Sequence, residues 1–156
     1  MIGIEPEFVD MPDRVAAVMA RDFKIDTRGN IPALYKAYFG LGSEIEHAET
    51  DALYGISFAM DGKGGFRYCV GRVLRGDPDA IPDELERVGL VGGTYAVFRS
   101  IGPVADIPPL FDWIFESWIP NSGVSVASDP VIERYPNDAN NNPDSMAFEI
   151  WVPIRR

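Results

Sequence analysis

Hydrophobic and polar positions along this chain follow two periods. Runs of β-branched and aromatic residues bounded by turn residues predict strands at Glu7–Asp10, Val15–Ala20, Leu53–Met60, Phe66–Leu74, Glu86–Val91, Thr94–Ser100, Val131–Tyr135 and Phe148–Val152. Two other segments carry helical spacing. Ile31, Leu34, Tyr35, Tyr38 and Phe39 predict a first helix, with Asn30 as its N-cap and Pro32 in its first turn. It frays near Gly40 or Gly42, or runs on to about His47. Ile107, Leu110, Phe111, Ile114, Phe115 and Trp118 predict a second, capped by Asp106 and ended by Pro120. Asp61–Gly65 reads as a hairpin turn, Gly76–Pro82 as a polar connector and Asn137–Asp144 as a long polar hairpin loop.

The predicted elements repeat. Ile31-Pro32-Ala33-Leu34-Tyr35 and Phe39 match Ile107-Pro108-Pro109-Leu110-Phe111 and Phe115 at an offset of 76. Ala17-Val18-Met19 matches Ala96-Val97-Phe98 at an offset of 79, and Tyr68-Cys69-Val70 lies opposite Ile150-Trp151-Val152 at an offset of 82. Offsets that drift only by loop length, in one order, are the mark of a duplicated unit. Each half, about 5–75 and 83–156, reads strand, helix, strand, strand. One such unit cannot cover its own apolar surface. The expectation is therefore an α+β fold in a single domain over 1–156, with two βαββ units side by side in one antiparallel sheet. Both helices lie on one face, and a ligand cleft opens on the other.

Composition narrows the function classes. The chain has 156 residues, 46% hydrophobic and 24% charged, which suits a globular domain with a real core. Its net charge is −10 and no basic cluster occurs, which argues against direct nucleic-acid binding. The N-terminus lacks the basic and apolar regions of a signal peptide, and no apolar run approaches the ~20 residues of a membrane span, so a cytoplasmic location is expected. Cys69 lies in a strand run and reads as core. The single histidine, His47, has no nearby Cys or second His, so no metal site is expected. Asp77, Asp79, Asp83 and Glu84 lack the central glycine of a calcium loop, and Gly62–Gly65 lacks the order of a phosphate-binding loop. No cofactor is implied.

Candidate chemistry sits on the last two strands. Alternation puts Val131, Glu133 and Tyr135 on one face of their strand. On the next, Phe148, Ile150 and Val152 share a face while Glu149 and Trp151 take the other. If the Glu133/Tyr135 face and the Glu149/Trp151 face are the same side of the sheet, two carboxylates stand among large aromatics. Such a place suits a flat, apolar cation through charge pairing and cation–π contact. Trp151 is then expected to be partly exposed, lining the cleft beside Glu149 and Glu133, because a helix-free face would otherwise expose a large apolar ring. Tyr68 and Tyr95 fall on strands predicted to flank the cleft. Phe111 belongs to the second helix's apolar stripe, and Trp113, off that stripe, is a candidate for the cleft edge.

These residues resemble a family. Gly93-Thr94-Tyr95-Ala96-Val97-Phe98, Ile107-Pro108 heading an aromatic helix, Pro130-Val131-Ile132-Glu133-Arg134-Tyr135 and Glu149-Ile150-Trp151-Val152-Pro153 look like the gyrase-inhibitor-like effector-binding domain. That domain is the small-molecule module of many bacterial AraC-type and MerR-type multidrug regulators, and the likeness covers essentially the whole chain in order. It implies the duplicated βαββ fold and a central cleft where a buried glutamate, here Glu133, faces a cationic aromatic ligand. It places an acidic residue and an aromatic of the last strand at Glu149 and Trp151. The chain departs from the regulators in showing no DNA-binding domain. Two other functions follow from the likeness. One is hydrolysis of cyclopropanoid toxins, with Glu133 as acid/base and Tyr68 or Tyr135 orienting the leaving oxygen. The other is inhibition of a basic protein partner.

Overall fold

Among the described residues, nine strands assemble into an antiparallel sheet with two helical segments packed against one of its faces. In the computed structural model, residues 4–41, 48–59, 65–76, 80–127, 130–137, 140–142 and 144–155 are described. His47, the expected turn at 61–64 and the acidic residues of 77–79 lie outside them. The chain forms β1 (Glu7–Met11), β2 (Arg14–Lys24), α1 (Ile31–Phe39), β3 (Ala52–Ala59) and β4 (Gly65–Val73). It then repeats with β5 (Glu86–Leu90), β6 (Gly93–Gly102), α2 (Ile107–Trp113), α3 (Ile119–Ser122), β7 (Ser125–Val126), β8 (Val131–Pro136) and β9 (Met146–Arg155).

The strand order is β1-β6-β9-β8-β3-β4-β2-β5, with the short β7 on β9. Read from either end, equivalent strands of the two halves meet the same neighbours, so the duplication is a pseudo-twofold about the central β3–β8 pair. Beyond the expected βαββ unit, the second half carries the short β7, and each half carries one further strand at the edge of the sheet. That strand crosses over: β1 caps β6 of the second half, and β5 caps β2 of the first.

The helices start and stop by local chemistry, though not as the sequence pattern predicts. Asn30 and Asp106 precede α1 and α2, yet neither side chain caps its helix. Both sit in helical backbone at the end of a 3-10 turn, Ile25–Asn30 or Val104–Asp106. Pro120 does not end the second helix. α2 runs into a π-helical turn, Ile114–Trp118, in which the Ile119 N–H reaches back to the Ile114 carbonyl. Pro120 thus enters at the first turn of α3, where a missing N–H costs no bond. The helix ends at Gly123, whose φ of 80° is the left-handed region a side chain disfavours.

The core has three parts. Leu34 and Tyr38 of α1 pack on Ala17, Tyr68 and Val70. Leu110 and Ile114 pack on Phe98, Phe148 and Ile150. A third cluster lies on the helix-free face and includes Val18, Ile56, Tyr95, Val97, Ile132 and Trp151. That face was expected to hold the cleft. Instead the sheet curls and closes it: Arg14 of β2 lies over the Trp151 ring of β9, 5.9 Å from its centroid, although three strands separate β2 from β9 in the sheet.

Candidate functional site

The pairing register decides where the carboxylates go. Glu133 of β8 stands opposite Gly55 of β3 and Ile150 of β9, while its neighbour Arg134 stands opposite Glu149. Paired residues point to the same side of a sheet. Ile150 packs under α2, so Glu133 is on the helix-bearing face, between the two helical segments, and Glu149 and Trp151 are on the other. The two carboxylates do not share a cleft.

Around Glu133 the structure collects hydroxyls. Tyr68 of β4 donates to Glu133 Oε2 at 2.7 Å, and Tyr135 donates to Oε1 at 3.1 Å. Tyr35, on α1, shares a 2.5 Å hydrogen bond with the Tyr68 hydroxyl, and its ring meets that of Tyr135 edge to face at 6.4 Å. Gly55 makes this possible. A Cβ there would stand 2.1 Å from the Tyr68 oxygen and 2.7 Å from that of Tyr35, so only glycine lets both hydroxyls pass over β3 toward β8.

Burial raises the Glu133 pKa above the ordinary carboxylate range, with the hydrogen bonds from Tyr68 and Tyr135 opposing that shift in part. The same burial, followed by the nearby Glu133 charge, pushes the Tyr35, Tyr68 and Tyr135 hydroxyls upward, so they remain donors. Among the described residues no Lys or Arg pairs with Glu133, which is partly exposed. A carboxylate held by two hydroxyls, ringed by three tyrosines and lacking a counter-ion, can receive a cation or hold a proton.

Glu149 is the opposite case. Among the described residues it is the one buried charged residue, 7% exposed, and it is met by cations from both sides. Arg134 donates to Oε1 at 3.2 Å and to Oε2 at 3.3 Å, Arg99 Nε donates to Oε2 at 3.3 Å, and the Trp151 indole donates to Oε1 at 2.8 Å. Arg134 is itself shared with Asp51 and the Tyr54 hydroxyl. Arg99 likewise pairs with Glu7 at 2.8 Å, so this is a structural ion network in which both Glu149 oxygens already have donors.

The other predicted residues separate accordingly. Trp151, expected to be partly exposed, is 7% exposed and packs edge to face on Tyr95 at 5.9 Å. Tyr95 is 1% exposed and donates to the Val91 carbonyl, so both belong to the closed face. Trp113 meets Phe98 edge to face at 6.2 Å, over β6 and two strands from Glu133. Phe111 stays on the helix-bearing face, packs with Phe115 at 4.8 Å, and lies on the cluster that contains Ile150. Tyr35 and Gly55 were not among the expected site residues. Tyr35 looked like one more member of an apolar helical stripe, and Gly55 carried no signal beyond being a glycine inside a strand. Cys69 is buried and its thiol is pushed up to about 11 by desolvation, as a core residue's would be. No helix among the described residues is long and apolar enough to cross a membrane.

The sequence model of the GyrI-like small molecule binding domain matches residues 4–155. The probable transcriptional regulator YgiV of Escherichia coli K12 is 31% identical over 80 residues, which are 49% of this chain and 50% of YgiV, so the match spans about half of that relative. Among solved structures, SAV2435 bound to tetraphenylphosphonium superposes with a TM-score of 0.80 at 15% identity, covering 97% of this chain and 94% of that one. EcmrR in a DNA complex superposes with a TM-score of 0.68 at 10% identity, over 97% of this chain and 57% of EcmrR. At these identities the structural likenesses establish the fold.

Proposed function

The chain belongs to the GyrI-like small molecule binding family, and from that premise we propose that it binds cationic, hydrophobic small molecules at Glu133. The observation that carries this is the contrast between two carboxylates on adjacent strands. Glu149 is met by two arginines and an indole, whereas Glu133 is met by hydroxyls and aromatic faces alone. Hydroxyls orient a carboxylate without cancelling its charge. A cation that arrives there offsets the desolvation of the carboxylate, and the tyrosine rings add cation–π and dispersion attraction. SAV2435, with the same fold, is known bound to a lipophilic cation, which supports the class of ligand.

Ligand contact is assigned to Glu133, Tyr35, Tyr68 and Tyr135, with Phe111 as apolar wall. The closed-face residues Trp151, Glu149 and Tyr95, together with Trp113, have structural places and no part in this reading. Hydrolysis by Glu133 and Tyr68 has no separate observation in its favour. Nucleic acid is not assigned as a partner, because the net charge of −10 repels phosphate.

Calorimetric titration of tetraphenylphosphonium into wild type and Glu133→Gln tests the proposal. The substitution keeps size and removes charge. Affinity should fall by at least about tenfold, the low end of what a desolvated charge pair is worth. Equal affinity in the two proteins would sink the assignment.

A further inference from the structure

Phe98 of β6 is wholly buried, and Trp113 and Trp118 both meet it edge to face, with centroids 6.2 and 5.0 Å away. At the matching places the other half of the duplication has smaller side chains. The offset of 79 sets Met19 against Phe98, and the helix offset of 76 sets Ala37 against Trp113. The repeated frame therefore forms without these rings. A π turn gathers them. On a regular α-helix, side chains five positions apart point about 140° away from each other. Here the Ile119 N–H bonds the Ile114 carbonyl five residues back, and Trp118 comes round to the side of Trp113. Turns of this kind are rare and recur where a helix shapes a functional site.

Trp113 and Trp118 line an open cavity of about 230 Å³ together with Ser117, Asn121 and Ser122. It lies over β6, two strands from Glu133, and no charged side chain lines it. Its polar rim is partly engaged. The Ser122 hydroxyl donates to the Ile119 carbonyl at 2.9 Å and accepts the Val124 N–H at 3.2 Å. Asn121 Nδ2 donates to the Ser117 carbonyl at 2.7 Å, and among the described residues its amide oxygen has no donor. We infer that this cavity is a second small-molecule site, separate from Glu133, for an uncharged planar ring that carries an N–H. Its volume lies below the roughly 300–1,000 Å³ of sites for drug-sized ligands, which suits one or two fused rings. The indoles reward a flat ring by offset stacking or edge contact. A cation would shed water there with no carboxylate in the lining to meet it. A ring N–H supplies the donor that the Asn121 oxygen lacks.

Indole is the probe, and the three tryptophan side-chain N–H resonances of the ¹⁵N-labelled protein are the readout. Titration should shift the Trp113 and Trp118 resonances saturably and leave that of Trp151, on the closed face, in place. Saturating tetraphenylphosphonium should not displace the indole, because the two sites are separate. Benzofuran, which has the shape of indole without the N–H, should bind about fivefold more weakly, the scale of one hydrogen bond. Asn121 is exposed, so Asn121→Ala tests the acceptor at little risk to the fold. In that variant indole should weaken to the level of benzofuran. Several results would overturn the inference: no shift up to the solubility limit of indole, equal shifts at all three tryptophans, or displacement by the cation. An Asn121→Ala variant that still prefers indole to benzofuran would do so too. None of these outcomes bears on cation binding at Glu133, which stands or falls by its own titration.

Discussion

Gly55 and Glu133 face each other across β3 and β8, and the first lacks a side chain because the hydroxyl that serves the second passes over it. Gly55→Ala is therefore a direct test of how the site is held. The added Cβ would meet the Tyr68 oxygen at 2.1 Å, so the ring must move off Glu133. The account expects a destabilisation of about 1–3 kcal/mol by chemical denaturation, typical of overpacking, together with about tenfold weaker cation binding from the displaced hydroxyl. An alanine variant with unchanged affinity would show that the Tyr68 hydrogen bond is dispensable. Among single residues, Glu133 was legible in the sequence as a strand carboxylate beside a tyrosine. Tyr35 and Gly55 were not, since their roles arise from contacts across 33 positions of chain and from empty space.

Within elements the sequence was informative, and between them it was not. Alternation correctly separates Phe148, Ile150 and Val152, which pack under the helix, from Trp151, which does not. What alternation cannot supply is the register between β8 and β9. A shift of one residue exchanges the faces of a whole strand, and the observed register pairs Glu133 with Ile150 and Arg134 with Glu149. The expectation of two carboxylates in one cleft fails on that single fact. Trp151 illustrates the consequence. Because the sheet curls over its helix-free face, Trp151→Ala should cost about 3–5 kcal/mol of stability, as for a buried aromatic, and leave cation affinity in the folded protein intact. A mutant with near wild-type stability and lost binding would return Trp151 to the site. The π turn was likewise illegible: it keeps the apolar stripe through Trp118 while carrying the chain past Pro120.

At the scale of the molecule, the duplication was legible because matched segments recur in one order, and the pseudo-twofold strand order is its outcome. The exchange of edge strands between halves was not, because β1 and β5 are short and their partners lie in the other half. This architecture sets one uncompensated carboxyl at the meeting of the two halves, and burial raises its pKa. The sign follows from linkage. In the empty protein Glu133 keeps its proton above about 4.3, where the unfolded chain releases it, so its contribution to stability is complete at low pH and is lost as pH rises through the higher native value. A bound cation favours the ionised form and must pull that value down, with a proton released. The most direct measurement is the carboxyl ¹³C resonance of Glu133, assigned by its loss in Glu133→Gln and followed against pH with and without tetraphenylphosphonium. The account predicts a midpoint above the ordinary glutamate range in the empty protein that moves to lower pH when the cation is bound. A midpoint unchanged by saturating cation would contradict it.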